Sequence, residues 1–401
     1  MRTFTRFAIV SFIALAMLVV AAKFRRTSTA HNSTNPKEAD LIVHEWGTFT
    51  SIAGKDGVAL EWRPLNGSSD LPKFVHTIQQ EGLGLRHALS KELLSAQVRM
   101  ETPVLYFYAN RELNVSARVD FPKGKITEWY PQARTLEQGI NWGTLKVSPG
   151  APFNLPADYS DNHYYAARET DAAPLQVCGT ANKPAEQEKF LFYRGVGSFE
   201  LPLTVRLDGN QLLLTNVQKE PIAKVLIFEK RADKIGFRAI DNVSGQVKTD
   251  RPAVDQTLEA VLRDLKVSLV SAGLYDKEAD AMIKTWRDSW FEEGLRVFYI
   301  LPRSTTDRVL PITIDPQPKE MVRVLVGRTE VITPELEKKV KAQVSLLNHA
   351  SSQVRDQARR EIQTYGRFYE PILKRILEDE KDATIRAPIE QALASSLSKG
   401  K

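Results

Sequence analysis

Short runs of alternating apolar and polar residues, separated by turn residues, dominate the sequence from Leu41 to about Ile240. In Asn114–Phe121 every second residue is apolar, which is the pattern of a strand with one buried face. Asp208 and Gly209 separate two further apolar runs, and both residue types tolerate the positive φ of a tight hairpin turn. Long stretches with helical periodicity are scarce here. The sequence therefore predicts an α+β protein with an antiparallel, β-sandwich-like body, and it argues against a parallel α/β sheet.

A pair of helices is expected after residue 250, where helical periodicity replaces the alternation. Asp255 is positioned to cap a helix that ends at Gly273, and Asp276 to cap a second that ends at Gly294. Only Gly-Leu-Tyr-Asp joins them, so we expect an antiparallel helix pair packed on the sheets. Two later runs return to strand character, namely Arg296–Leu301 and Val322–Val331.

The tail from Pro334 onward contains a weak internal repeat. Residues 346–362 resemble residues 377–393, with the same apolar helical face after a polar turn. This pattern is typical of HEAT-type helical repeats, of which three or more are usually needed for independent stability. We therefore expect the tail to dock on the preceding domain.

The N-terminus has the layout of an export leader. Two arginines precede the apolar run Phe7–Ala22, which ends in small residues. The run lies just below the roughly 17–25 residues that span a bilayer, and basic residues follow it at once, so a cleaved signal peptide and a membrane anchor both remain open. The polar, aperiodic segment that follows predicts a flexible linker.

These patterns divide the chain into five parts. They are 1–26 (signal peptide or anchor), 27–40 (linker), 41–250 (β-rich domain), 251–333 (helix pair and completing strands) and 334–401 (helical tail). The leader and the single cysteine, Cys178, favour a periplasmic or extracellular protein, tethered by residues 7–22 if the leader is retained. Membrane contact is expected only through residues 7–22. The net charge of +6 is spread without a basic block, which excludes nucleic acid as a partner.

The segment Leu41–Ser51 places an ionisable residue on each face of a strand, because His44 and Glu45 are neighbours in a period-2 pattern. Whichever face packs on the core, one of the two is buried and needs a partner or a shifted pKa. Such groups occur in active sites and in structural ion pairs. A lone His-Glu pair carries no mechanism, so we favour the structural interpretation.

Glutamate precedes tryptophan three times, in Glu45-Trp46, Glu61-Trp62 and Glu128-Trp129. Carbohydrate sites combine two carboxylates with aromatic rings that stack on sugars. Alternation sends adjacent residues to opposite faces, so buried tryptophans beside solvated glutamates explain the pattern equally well. A further acid, Glu101, lies near Pro103, which predicts an edge strand. The candidate catalytic residues are Glu45, Glu128, His44 and Glu101, and the candidate ligand-binding residues are Trp46 and Trp129.

Metal and cofactor sites have weak support in the sequence. The histidines His44, His76, His87 and His163 lack the spacing of a helical zinc motif, and no cysteine pair is present. The sequence contains neither a nucleophile elbow nor a phosphate-binding loop. We expect no metal and no cofactor.

Six stretches of this sequence resemble an uncharacterised family of predicted exported bacterial proteins that carries a VHEWGTFTS motif. They are VHEWGTFTS (43–51), RMETPVLYFY (99–108), TEWYP (127–131), FLFYRGVG (190–197), AMIKTWRDSWFEEG (281–294) and VRVLVGRTE (322–330). The resemblance runs from Leu41 to about Thr333 and implies export and a bacterial source. It implies no activity and no site residue. The tail resembles HEAT repeats only loosely.

Because no complete catalytic set is present, the sequence favours an extracytoplasmic binding or scaffold protein of the bacterial cell envelope, with an envelope protein or polysaccharide as partner. The alternative is a hydrolase of carbohydrate or another envelope polymer that uses paired glutamates. Two of Glu45, Glu101 and Glu128 facing one open cleft, about 5–10 Å apart, would favour the hydrolase.

Overall fold

A computed structural model describes residues 40–65, 70–78, 94–158, 160, 162–179 and 184–398. The predicted leader and, apart from Asp40, the predicted linker lie outside these residues. No helix within the described ranges is long and apolar enough to cross a membrane.

A nine-stranded sheet forms the centre of the body. In spatial order its strands are β13 (Lys234–Val243), β12 (Ile222–Arg231), β15 (Gly294–Ile300), β17 (Glu320–Val331), β1 (Ile42–Ala53), β3 (Val98–Tyr108), β9 (Leu191–Gly197), β5 (Gly124–Tyr130) and β2 (His76–Thr77). All neighbours are antiparallel except β1 and β17, which run parallel in the middle of the sheet. The antiparallel body is thus confirmed, with one central parallel pair that alternation cannot reveal.

Two smaller sheets complete the β structure. One has the order β16 (Ile312–Asp315), β4 (Leu113–Asp120), β6 (Gly139–Val147), β7 (Leu175–Val177) and β8 (Glu186–Glu188), and the other the order β10 (Leu203–Asp208), β11 (Gln211–Asn216) and β14 (Gln246–Asp250). The predicted hairpin joins β10 to β11, with Gly209 at φ +59° in the turn. Trp142 of the five-stranded sheet packs on Tyr193 of the central sheet, with ring centroids 5.9 Å apart.

The opposite face of the central sheet is covered by the predicted helix pair, α1 (Leu258–Ser271) and α2 (Asp276–Trp290). Their apolar sides share one buried core with the sheet, which includes Trp46, Val104, Phe192, Phe228, Leu265, Leu269, Met282 and Trp290. The helix starts differ from the prediction. The N-cap of α1 is Thr257, not Asp255, and α2 begins after Tyr275, whose backbone N–H donates to the Glu278 carboxylate over 2.8 Å.

The tail contains four helices, α4 (Pro334–Ser345), α5 (Ser352–Thr364), α6 (Tyr369–Asp379) and α7 (Ala383–Ser398), and a short helix, α3 (Arg303–Val309), lies between β15 and β16. Tail residues such as Ile372 form a buried cluster with Ile52, Trp62 and Ile332 of the body. The tail therefore docks on the body through an apolar contact.

Strand β3 corrects the edge position that Pro103 predicted. The strand lies in the interior of the sheet, between β1 and β9. Pro103 sits in a bulge where the register with β9 shifts between Met100 and Val104, and the preceding Thr102 has φ +48°. A bulge leaves a ladder position unpaired, so the missing N–H of proline is tolerated inside the sheet.

Candidate functional site

His44 and Glu45 are both fully buried, on opposite faces of β1. The strand is central and covered on both sides, so both ionisable groups are buried, and each of them has a partner. His44 lies on the face that carries α1 and α2, whereas Glu45 lies on the face toward Tyr193 and the five-stranded sheet.

Glu45 belongs to a buried ion pair. Its carboxylate accepts a hydrogen bond from Arg323 Nε over 2.6 Å and another from the Tyr193 hydroxyl. Arg323 also donates to Asp307 over 2.8 Å. Burial and the nearby Glu45 raise the pKa of the Tyr193 hydroxyl well above its ordinary value, so it stays a proton donor. This arrangement supports the structural interpretation of Glu45.

His44 is held by Glu278 at the start of α2. Its Nδ1 lies 2.8 Å from Glu278 Oε2, and the Tyr108 hydroxyl donates to Glu278 Oε1 over 2.7 Å. The Tyr275 ring lies against the imidazole, with centroids 4.4 Å apart. Because Glu278 also receives the N–H of Tyr275, this carboxylate joins the helix start to the central strand.

A second group of ionisable residues lies on the helix-covered face, toward the end of the sheet where α2 ends. We call it the charge cluster and define it as Asp70, Arg99, Glu101, Glu128, Arg194, Glu292, Arg296, Arg328, Glu330 and Arg367. Five arginines and five carboxylates are thus gathered there. Such a density of buried charge is uncommon, because charges are rarely buried unless paired.

Five of the six stretches quoted above supply members of the charge cluster, and residues 43–51 supply a hydrogen-bond partner of one member. The contributions are Thr50, which donates to Glu101 over 3.0 Å; Arg99 and Glu101; Glu128; Arg194; Ser289 and Glu292; and Arg328 and Glu330. These stretches are far apart in the sequence, and the sheet brings them together.

The deep part of the charge cluster is centred on Glu330. Its carboxylate pairs with Arg296 Nε at 3.1 Å and with Arg328, and none of the three side chains is exposed. Burial alone would raise the pKa of Glu330, but Arg296 and Arg328 outweigh it and lower the pKa to about 2. Burial and the neighbouring Arg367 and Arg296 lower the pKa of Arg328 to about 10, despite Glu330. Glu330 and Arg328 are therefore both charged at neutral pH.

The charge cluster reaches solvent around the Asp70 carboxylate, and we call this partly exposed region the mouth of the cluster. Arg194 donates to the two Asp70 oxygens over 2.6 and 3.2 Å, and Arg99 lies 3.7 Å from the same carboxylate. His163 Nε2 is 3.9 Å from it. The Asp70 and His163 side chains are each 37% exposed, whereas Arg194 is buried. Burial lowers the pKa of His163, so the imidazole is largely neutral at pH 7.

Of the predicted catalytic residues, the structure brings Glu101 and Glu128 to the charge cluster and leaves Glu45 and His44 elsewhere. Burial would raise the pKa of Glu101, but Arg99 and Arg328 outweigh it and lower the pKa. Glu128 accepts from the Thr127 hydroxyl and interacts electrostatically with Arg194. Both acids are nearly inaccessible.

The predicted stacking rings are also enclosed. Trp46 and Trp129 have no exposed surface. Trp46 packs in the core under the helices, and Trp129 lies against the His76 ring at 6.1 Å. Neither ring presents a face on which a sugar could stack.

The predicted histidines are dispersed. His76 binds Glu186 at 2.9 Å, and His87 lies outside the described residues. Across the part of the chain that the structure describes, no group of three or more His, Cys, Asp or Glu side chains is placed to hold a metal ion. Cys178 is an exposed thiol.

The arginines of the charge cluster are the residues that sequence reasoning missed. Arg194 and Arg296 each lie within an otherwise apolar strand, Arg328 directly follows the apolar run of β17, and all three are buried. Charged residues inside apolar strands are the signal that could have identified them, because a buried guanidinium needs a carboxylate partner.

A groove of about 850 Å³ lies between the body and the tail, close to the charge cluster. Its lining includes Glu292, Leu295, Leu336, Tyr365 and Phe368. Glu292 also pairs with Arg328 at 3.2 Å and with Arg367 at 2.7 Å. This carboxylate thus joins the groove to the charge cluster.

No protein-family model matches the sequence, and no curated protein matches it. Among solved structures, the chain matches the yeast delta-COP-I mu-homology domain complexed with the Dsl1 WxWxV peptide. The two share 10% identity, with 74% of this chain and 100% of that chain covered, at a TM-score of 0.26.

Proposed function

We propose that the protein is an extracytoplasmic binding protein of the bacterial cell envelope and that it holds an anionic group of an envelope polymer or protein at the mouth of the charge cluster. The observation that carries this proposal is that two arginines of the charge cluster, Arg99 and the buried Arg194, both face the partly exposed Asp70 carboxylate. Arginine is well suited to this role, because its planar fork binds carboxylate and phosphate oxygens in pairs.

The chemistry of the acids supports binding over catalysis. A glycosidase needs one protonated acid and one carboxylate on either side of the scissile bond. The pKa of Glu101 is lowered, so this group is ionised and cannot donate a proton at neutral pH. Glu45 is bound to Arg323 on the other face of the sheet.

The extracytoplasmic location is supported by the leader pattern of residues 1–26 and by the single cysteine. A bacterial alkaline phosphatase fused after Lys401 tests it, because that enzyme is active only where its disulfides form. We expect an active fusion. An inactive fusion that is nevertheless present in cells would contradict the location.

The binding proposal is tested by a screen of the full chain against glycans and peptides of the cell envelope, in charged and neutral forms. We expect retention of members with an anionic group and weaker retention by Arg99→Gln, because Arg99 faces the mouth and is partly exposed. Arg118→Gln is the matched control, since Arg118 forms an exposed ion pair with Asp120 in the five-stranded sheet, which contributes no member of the cluster. Binding confined to neutral members would contradict the proposal.

The second candidate is a hydrolase that uses Glu101 and Glu128, which share the charge cluster around Arg194 but do not face an open cleft, since both are nearly inaccessible. This candidate predicts that the full chain cleaves an envelope polysaccharide and that Glu101→Gln and Glu128→Gln each reduce the rate at least about 100-fold. Glu112→Gln, which removes an exposed carboxylate, is the control. Equal release of reducing ends by all variants would exclude these two acids.

A further inference from the structure

Asp70 occupies the position at the mouth where an incoming anion would meet the arginines. Its two oxygens receive the two Nη groups of Arg194 at 2.6 and 3.2 Å, which is the paired geometry that guanidinium groups adopt with free carboxylates. Arg99 lies 3.7 Å away on the same side. The outer part of this carboxylate faces solvent, with 37% of the side chain exposed.

The arginine is fixed by the fold, whereas the aspartate is not part of a strand or helix. Arg194 belongs to the interior strand β9, its guanidinium lies over the Phe192 ring at 6.0 Å, and the Thr102 hydroxyl accepts from its Nη2 at 3.3 Å. Asp70 lies in irregular chain before β2, where its backbone oxygen accepts from the Asn162 amide. The Arg194 guanidinium is thus held in place by the fold, and Asp70, which now binds it, is the less constrained of the two residues.

Polar atoms beside the Asp70 carboxylate lack hydrogen-bond partners among the described residues, and His163 Nε2, 3.9 Å from that carboxylate, is one of them. Arg194 Nε is buried and makes no hydrogen bond with any residue that the structure describes. A buried N–H without an acceptor is unfavourable, so this Nε–H can donate to a further oxygen beyond the two that Asp70 supplies.

We propose that the mouth of the charge cluster is a carboxylate-binding site and that Asp70 is a tethered occupant which the carboxylate of a ligand displaces. This inference rests on the proposed binding function and names the chemical group that is bound and the residue that competes with it. The ligand replaces one carboxylate by another, so the balance of five arginines and five carboxylates is kept.

A carboxylate fits the site better than a phosphate dianion. Glu101 and Glu128 both lie within electrostatic reach of Arg194, so a second negative charge at the mouth would meet repulsion. A planar group with two oxygens also reproduces the contacts that Asp70 makes now.

Thermal unfolding of the full-length Asp70→Ala variant with acetate as the probe tests this inference. Removal of the carboxylate leaves Arg194 without the acid that hydrogen-bonds to both of its Nη groups, so we expect the Tm to fall by about 3 °C or more. Sodium acetate at 100 mM should restore at least half of that loss relative to 100 mM sodium chloride. Phosphate at equal ionic strength should restore less.

Two variants serve as controls. Asp171→Ala removes an exposed aspartate that pairs with Lys277, and acetate should not raise its Tm or that of the wild-type chain. Asp70→Ser also vacates the carboxylate position and provides the test if the alanine variant does not fold. Equal effects of acetate and chloride on the Asp70 variants would overturn the inference, as would an equal effect of acetate on Asp171→Ala.

The inference and the proposed function fail in different ways. Acetate rescue together with an empty envelope screen would support the carboxylate site and refute the envelope ligand. An envelope ligand that binds, combined with no acetate rescue, would support a binding protein and refute displacement of Asp70.

Discussion

Glu330 holds the deep part of the charge cluster together, because it is the carboxylate between Arg296 and Arg328. In Glu330→Gln both guanidinium groups lose their shared counterion in a buried position. We expect the free energy of unfolding at pH 7 to fall by about 3–5 kcal/mol, as measured by guanidinium chloride denaturation. Glu335→Gln, which removes a largely exposed partner of Arg251, should change it by less than about 1 kcal/mol. Similar losses in both variants would contradict this role.

The same residue predicts a pH dependence. The folded state lowers the pKa of Glu330 from 4.5 to about 2. Its contribution to stability is therefore complete above about pH 4.5 and is lost as the pH falls toward 2. The stability difference between the wild-type chain and Glu330→Gln should shrink across this window. A difference that stays constant between pH 6 and pH 3, measured by the same denaturation, would refute the assignment.

At the scale of single residues, the sequence predicted that His44 or Glu45 must be buried, and the structure buries both. It could not name their partners. Glu278 lies 234 residues after His44, and Arg323 lies 278 residues after Glu45. Strand periodicity states which side of a strand a residue faces but contains no information on what the fold places opposite.

At the scale of elements, the start of α2 distinguishes two caps. Glu278 receives the N–H of Tyr275 and also binds His44 and Tyr108, whereas Asp276 pairs with Lys266 at the surface. Glu278→Gln should therefore lower the free energy of unfolding by about 3 kcal/mol and speed amide exchange in the first turn of α2. Asp276→Asn should have an effect below about 1 kcal/mol. A larger loss of stability in Asp276→Asn than in Glu278→Gln would mean that Asp276 is the cap.

The helix pair itself was predictable and its exact starts were not. Apolar spacing identified the two helices, because it reflects the face that each buries. Threonine, aspartate and glutamate near a helix start all offer oxygens to free N–H groups, so the sequence alone does not decide among them. Similarly, Pro103 indicated an edge strand, whereas β3 lies inside the sheet. The sequence could not show this, because the bulge that accommodates the proline depends on the pairing of β3 with β9.

At the scale of the whole molecule, the tail and the body share one apolar cluster. Ile372→Ala removes a fully buried side chain from the tail side of this contact and should lower the stability by about 2–5 kcal/mol. Because Trp62 belongs to the same cluster, tryptophan fluorescence should report one cooperative transition at a lower denaturant concentration. Val267→Ala, at an exposed position, is the control. A separate transition of Ile372→Ala at low denaturant concentration, followed by a second transition at the wild-type midpoint, would show that the tail unfolds independently.

The fold class could be predicted because alternation and helical spacing persist over long stretches of the chain. The parallel pairing of β1 with β17 could not, because the two strands are separated by most of the chain and no local turn fixes their direction. That pairing places Thr50, which donates to Glu101, beside Arg328, and so it joins these two members of the charge cluster.

The most direct test of the account is the affinity of the strongest anionic hit from the envelope screen for the wild-type chain and for Arg99→Gln, measured by calorimetric titration. Arg99 is partly exposed at the mouth, so its loss should weaken binding at least about tenfold, while Arg118→Gln should leave it unchanged. Equal affinities for all three proteins would contradict the claim that the ligand binds at the charge cluster.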